Sequence, residues 1–150
     1  MKQLLFTDFS NNVNGKIYNW RGKTILIAED TDCSFLYLKT ILRHTNAEII
    51  WASSGQEAIN MVRENRQIDI VLMDINMPGI NGFDATIAIH SINKDIPVIA
   101  QTAYVYDNEV ELCYESGCVD YIAKPIDKRI LLEKISVFLG AGVPAQGQHI

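Results

Sequence analysis

Four short apolar runs recur in order along the chain, and each ends in polar or charged residues. Ile25 to Ala28 leads into Glu29 and Asp30, Ile70 to Met73 into Asp74, Val98 to Ala100 into Gln101 and Thr102, and Tyr121 to Ala123 into Lys124. If the four runs are strands of one parallel sheet, their ends deliver three carboxylates, a hydroxyl and an ammonium to one edge, where open α/β sheets bind ligands. Such a set suits a divalent cation together with a phosphoryl group better than it suits burial.

Between the runs the apolar period changes to that of helices. Phe35, Leu38, Ile41 and Leu42 follow the first strand, and Ala58, Ile59 and Val62 follow a further strand near Glu48 to Ala52. Repeated strand and helix predict an α/β fold, a doubly wound five-stranded parallel sheet with five helices on its two faces. Local signals agree. Ser54, Gly55, Gln56 and Glu57 read as a capping box in which the Glu57 side chain reaches back to the serine. Asn81 and Gly82 before Phe83 and Ile87 mark a third helix, and Gly117 ends a fourth in a left-handed conformation. Leu131, Ile135, Phe138 and Leu139 form the stripe of a last amphipathic helix. Residues 1–22, with Asn11, Asn12, Asn14, Gly15 and Asn19, read as a lead-in linker or tail. Residues 140–150 read as a flexible end, which leaves residues 23–139 as the folded domain.

Composition excludes several classes. With 150 residues, 48% of them apolar, the chain has material for one ordinary core. A net charge of −5 without a basic cluster argues against direct nucleic-acid binding. Cys33, Cys113 and Cys118 lack the spacing of a zinc or redox pair and read as reduced thiols, which points to the cytoplasm. No apolar run approaches membrane-spanning length, so membrane insertion of this chain is not expected.

The chemistry centres on Asp74. A carboxylate at the end of a buried strand is costly unless a cation or donor compensates it, and Glu29 and Asp30 add repulsion. A divalent cation removes that penalty and keeps positions open for phosphate oxygens and water. Magnesium fits the oxygen-only set better than zinc. Taken singly, Glu29 or Asp30 reads equally well as a helix cap or a loop charge; it is the addition of Asp74, Thr102 and Lys124 at matching strand ends that favours a site.

These residues resemble the receiver domain of two-component response regulators over about residues 24–139. The resemblance rests on Glu29 and Asp30, on Asp74 with Met77, Pro78 and Gly82, on Thr102 with Ala103, and on Lys124 with Pro125. It implies a flavodoxin-like sheet of order 2-1-3-4-5 and Asp74 as the phosphoacceptor. It also implies a magnesium site formed by Glu29, Asp30, Asp74 and the backbone carbonyl of Asn76, with Thr102 and Lys124 on the phosphoryl oxygens. Thr102 and Tyr121 would form the switch, and Asn76 and Tyr104 would flank the approach of hydrolytic water and tune the adduct's lifetime. The Lys124 to Pro125 bond is expected to be cis.

The donor implied is a phosphohistidine on a histidine kinase or a histidine phosphotransfer domain. The domain would catalyse only its own phosphorylation and dephosphorylation, because no glycine-rich ATP loop occurs. His44, His90 and His149 lack the context of a phosphoacceptor histidine. Trp20 to Lys23 and Ile27 to Asp30 resemble receivers fused behind the kinase core of hybrid sensor kinases, on the cytoplasmic side of the membrane; a stand-alone single-domain regulator is the alternative. A weak dimer through the fourth helix, near Asp107 to Ser116, or through the last helix is left open. Two rival classes remain. A phosphatase of the haloacid dehalogenase type needs an aspartate where Asn76 stands and a nucleophile after the first strand. A pseudo-receiver serving only as an interaction module has no reason to keep the complete set.

Overall fold

The structure is a computed structural model and describes residues 12–13, 15–65, 67–105 and 107–145. Five strands form one sheet: β1 (Thr24–Ala28), β2 (Glu48–Ala52), β3 (Ile70–Asp74), β4 (Val98–Thr102) and β5 (Asp120–Ala123). Every neighbouring pair is parallel, and the order is β2-β1-β3-β4-β5, as the resemblance implies. In this order Ala28 lies beside Met73, and Asp74 beside Gln101. The polar ends of the three central strands therefore converge on one edge, at the switch point between β1 and β3.

Among the described residues, five α-helices cover the sheet: α1 (Asp32–Leu42), α2 (Gly55–Glu64), α3 (Gly82–Ile92), α4 (Asp107–Ser116) and α5 (Lys128–Leu139). Strand alternation divides the core in two. Ile25, Ile27, Leu72 and Ile99 face Phe35, Leu38 and Leu42 of α1 and Leu131 and Ile135 of α5. Leu26, Val71, Met73 and Ala100 face Ala58 and Val62 of α2, Ala85 and Ile89 of α3 and Cys113 of α4. Strands β1, β3 and β4 are buried throughout, which is why they read as apolar runs instead of alternating.

Helix starts follow the side chains that satisfy free backbone N–H groups. Thr31, Ser54, Asn81 and Asp127 each accept from the amide three residues on. Neither Glu29 nor Asp30 caps α1. The capping box is only half formed: Ser54 accepts from the Glu57 amide, while the Glu57 carboxylate accepts from the Ser53 hydroxyl at 2.9 Å. Phe138, expected on the docking stripe of α5, points outward, while Leu132 joins Leu131, Ile135 and Leu139 on the buried face. Gly117 closes α4 with φ 108°, and a Cβ there would stand 2.5 Å from Nδ1 of His90.

The packing does not stop at residues 22/23 and 139/140. Asn12–Val13, Lys16–Ile17 and Val143–Pro144 form a small antiparallel sheet. Tyr18 and Trp20 are buried, with rings 5.5 Å apart, and Trp20 Nε1 donates to the Gly140 carbonyl at 2.9 Å. The expectation of a linker and a flexible end is corrected to that extent. Asparagine and glycine leave these segments without periodicity, yet two aromatics suffice to dock them on the face that α1 and α5 cover. Residues 1–11, 14 and 146–150 of the expected tails, with His149, lie outside the described residues. Among the described residues no helix is long and apolar enough to cross a membrane.

Candidate phosphoacceptor and metal site

The site is built at the carboxyl ends of β1, β3, β4 and β5. Glu29 and Asp30 follow β1, and each offers a carboxylate oxygen that lies, with one from Asp74, inside a 4.8 Å cluster. Glu29 and Asp74 are only 1% and 3% exposed, whereas Asp30 faces solvent. Lys124 Nζ enters from the end of β5, 3.1 Å from Glu29 Oε1 and 3.4 Å from Asp74 Oδ1, and its bond to Pro125 is cis. The Asn76 amide donates to Asp74 Oδ1 at 3.1 Å, which orients the carboxylate. These groups open into a cleft of about 410 Å³ whose walls include Asp30, Asn76, Ala103 and Tyr104.

Electrostatics concentrate on one residue. Burial first, and then the charge of Asp74, push the Glu29 carboxyl up to about 7, against the opposing pull of Lys124. The ammonium lies within ion-pair distance of Oε1, but neither Glu29 oxygen receives a well-aligned hydrogen bond. A buried carboxylate left this way is a ready ligand for a hard cation. Three oxygen donors suit magnesium, which takes few carboxylates and keeps several waters. The donor set therefore fits the expected metal.

Thr102 and Tyr121 stand apart from this cleft. Thr102 is fully buried; its hydroxyl donates to the Tyr104 carbonyl at 3.1 Å and accepts from the Tyr104 amide at 3.0 Å. Its side chain is thus engaged with its own loop. Tyr121 is half-buried, with its ring edge-on to Tyr114 at 6.5 Å and with Lys134 Nζ 5.6 Å from its centre. Lys134 is in turn held by both oxygens of Asp120 at 3.0 Å. Tyr104 is 53% exposed at the rim of the cleft.

Three contributors were not recognised from sequence. Trp51 Nε1 donates to the Glu29 carbonyl at 2.8 Å and stacks on Phe35 at 4.6 Å, which braces the backbone beneath the acidic pair. Tyr37 donates to the Ile126 carbonyl at 2.6 Å, tying α1 to the loop that follows Lys124. Gln101 closes the apolar run of β4. Neither Trp51 nor Tyr37 carries a local signal, whereas a glutamine inside an apolar run does.

The family described as response regulator receiver domain matches residues 25–136, most of the chain. The chain belongs to this family. As a receiver it is 33% identical over 125 residues to the sensor protein GacS of Pseudomonas syringae, covering 80% of this chain and 14% of GacS. It is 32% identical over 120 residues to the polar-differentiation response regulator DivK of Brucella anthropi, covering 79% of this chain and 97% of DivK. The receiver thus spans a small part of GacS and nearly all of DivK. Among solved structures, the receiver domain of the sensor histidine kinase PA1611 of Pseudomonas aeruginosa PAO1, with a magnesium ion in its active-site cleft, superposes with a TM-score of 0.73 at 28% identity. The match covers 80% of this chain and 99% of that one. The receiver of Ssk1 of Saccharomyces cerevisiae, crystallised with the histidine phosphotransfer protein Ypd1, gives a TM-score of 0.75 at 26% identity, covering 80% of this chain and 90% of that chain.

Proposed function

We propose that this receiver takes a phosphoryl group from a phosphohistidine onto Asp74, with Mg²⁺ held by Glu29, Asp30, Asp74 and the Asn76 carbonyl. The observation that carries the reading is the Lys124 ammonium, 3.1 and 3.4 Å from two of three clustered carboxylates. Asp74 supplies the nucleophilic oxygen. As its bond to phosphorus forms, the bond from phosphorus to the imidazole nitrogen breaks, and that nitrogen keeps the electron pair and takes up a proton. Lys124 offsets charge on the phosphoryl oxygens, and the Asn76 amide keeps Asp74 aimed. Bound magnesium would supply further charge neutralisation at those oxygens.

The new phosphoryl oxygens compete with Tyr104 for the Thr102 hydroxyl. Thr102 gives up its tie to Tyr104, the loop after β4 shifts, and Tyr121 leaves Lys134 and Tyr114. Tyr104 and Asn76, at the rim, govern the access of hydrolytic water. The resemblance to PA1611 and to the Ssk1 receiver supports the metal and a histidine phosphotransfer partner or kinase as donor.

The wider setting proposed is a hybrid sensor kinase, with this domain on the cytoplasmic side, where three free thiols are at home. A stand-alone regulator of the DivK kind is the alternative. Residues 23–139 would form the transferable unit, extended by the docked segments around Trp20 and Gly142. A charge of −5 supports protein partners over nucleic acid.

The test is incubation with acetyl phosphate and Mg²⁺, followed by intact mass. One phosphoryl group gained by wild type and none by Asp74→Asn supports the reading; no gain by wild type refutes it. Steady hydrolysis of many phosphoesters would point instead to a phosphatase, which the presence of Asn76 and a nucleophile on β3 argue against.

A further inference from the structure

A second cavity, of about 350 Å³, lies beneath the acidic pair on the face covered by α1 and α5. Glu29, Gln101 and Lys124 form its polar wall, and Tyr37, Leu38 and Ile126 part of its apolar one. Gln101 sits in the middle of the sheet, paired with Asp74 of β3 and Ile122 of β5, and is fully buried. Among the described residues, the buried side-chain polar atoms without a hydrogen-bond partner are both oxygens of Glu29 and both amide atoms of Gln101. The two residues share one cavity.

This coincidence has a physical reading. A carboxamide in an apolar strand costs desolvation without return unless it serves a partner. Ile99, two residues earlier on the same face, is the apolar residue that packing alone would select. Glu29 lacks an aligned donor, and an amide NH₂ provides two N–H groups. The Tyr37 hydroxyl is committed to the Ile126 carbonyl at 2.6 Å, and Ser34 and Lys124 are partly exposed, so the Gln101 amide is the fully buried donor of this cavity. The cavity also has room for a bridging water.

We propose that Gln101 is a positioning residue for Glu29: its carboxamide donates to the Glu29 carboxylate across this cavity, through water, and holds it turned toward the cation site. The proposal rests on reading Glu29, Asp30 and Asp74 as that site. Groups that orient a ligand from behind affect metal affinity by about 10–100-fold. Trp51, bonded to the Glu29 carbonyl, is a built-in fluorescent reporter of cation binding.

The experiment titrates Mg²⁺ into wild type and Gln101→Met, following Trp51 fluorescence and heat, with Tm measured in chelator. Methionine keeps the length and removes the amide. Affinity should fall about tenfold, while the Tm without metal stays level, since the lost water-mediated donor to Glu29 and the relieved desolvation of the buried amide offset one another. A Gln101→Asn variant, which retains a carboxamide, should recover part of the affinity. Affinity within twofold of wild type overturns the proposal, and so does a loss of affinity accompanied by a lower Tm, which marks a packing role. Gln101→Leu repeats the test where the methionine variant does not fold. Wild type that binds no Mg²⁺ overturns the metal site itself, an outcome distinct from a wild type that binds and a Gln101→Met that binds equally well.

Discussion

Replacing Glu29 by glutamine should stabilise the metal-free protein, in a pH window set by one buried carboxyl. Burial and the charge of Asp74 raise that group from 4.5 to about 7. At about 1.4 kcal/mol for each pH unit, the charged form costs the native state about 3 kcal/mol. Below 4.5 the native and unfolded chains both carry the proton, and the cost is absent. Between 4.5 and 7 the native state binds a proton that the unfolded chain has released, so stability falls as pH rises; above 7 the full cost persists. Glu29→Gln removes the titrating group. In chelator at about pH 8 it should therefore exceed wild type by about 3 kcal/mol, or about 6–12 °C in Tm for a chain of this size. At about pH 4.5 the two should nearly coincide. Urea unfolding followed by circular dichroism measures the difference. Magnesium should narrow it, because the cation compensates the wild-type carboxylate and binds the variant poorly. Equal stability in chelator at the higher pH would show that the Glu29 carboxylate carries no net desolvation cost, and would remove the electrostatic case for a cation at this place.

Three further outcomes are expected. Tyr104→Ala should shorten the half-life of the Asp74 adduct by about threefold, less than 1 kcal/mol of barrier, as read by loss of the phosphorylated mass; an unchanged half-life removes Tyr104 from lifetime control. Trp20→Ala should cost about 3–5 kcal/mol in urea unfolding, because its ring is 1% exposed and its indole N–H holds Gly140; a loss below about 1 kcal/mol would mean that the terminal segments contribute little to the fold. Gly82→Ala should cost about 1–3 kcal/mol and slow phosphorylation, since its Cβ would stand 2.6 Å from the Asp74 carbonyl and 2.7 Å from Ile75 Cα. Retained stability together with a normal phosphorylation rate would contradict that geometry.

The scaffold was legible because its signals are local. Buried parallel strands read as apolar runs, and Ser54 and Asn81 announce helix starts through hydrogen bonds made three residues away. Asp74, Thr102 and Lys124 were recognisable because charge or hydroxyl at the end of an apolar run is unusual. The segments around Trp20 and Val143 were not, since their order comes from pairing across more than a hundred residues. The outward turn of Phe138 has a similar cause: docking of α5 sets Leu131, Leu132, Ile135 and Leu139 as its buried side.

Residue types and their order alone determined the fold class and the edge at which polar side chains gather, because strand ends of a parallel sheet share one side whatever the packing beneath them. Tertiary structure decided the energetics: Glu29 bears the burden of desolvation, Thr102 is tied to Tyr104, and Gln101 shares a cavity with the acid it is proposed to hold. Those are properties of distance and burial among groups far apart in the chain, and no local pattern of residues encodes them.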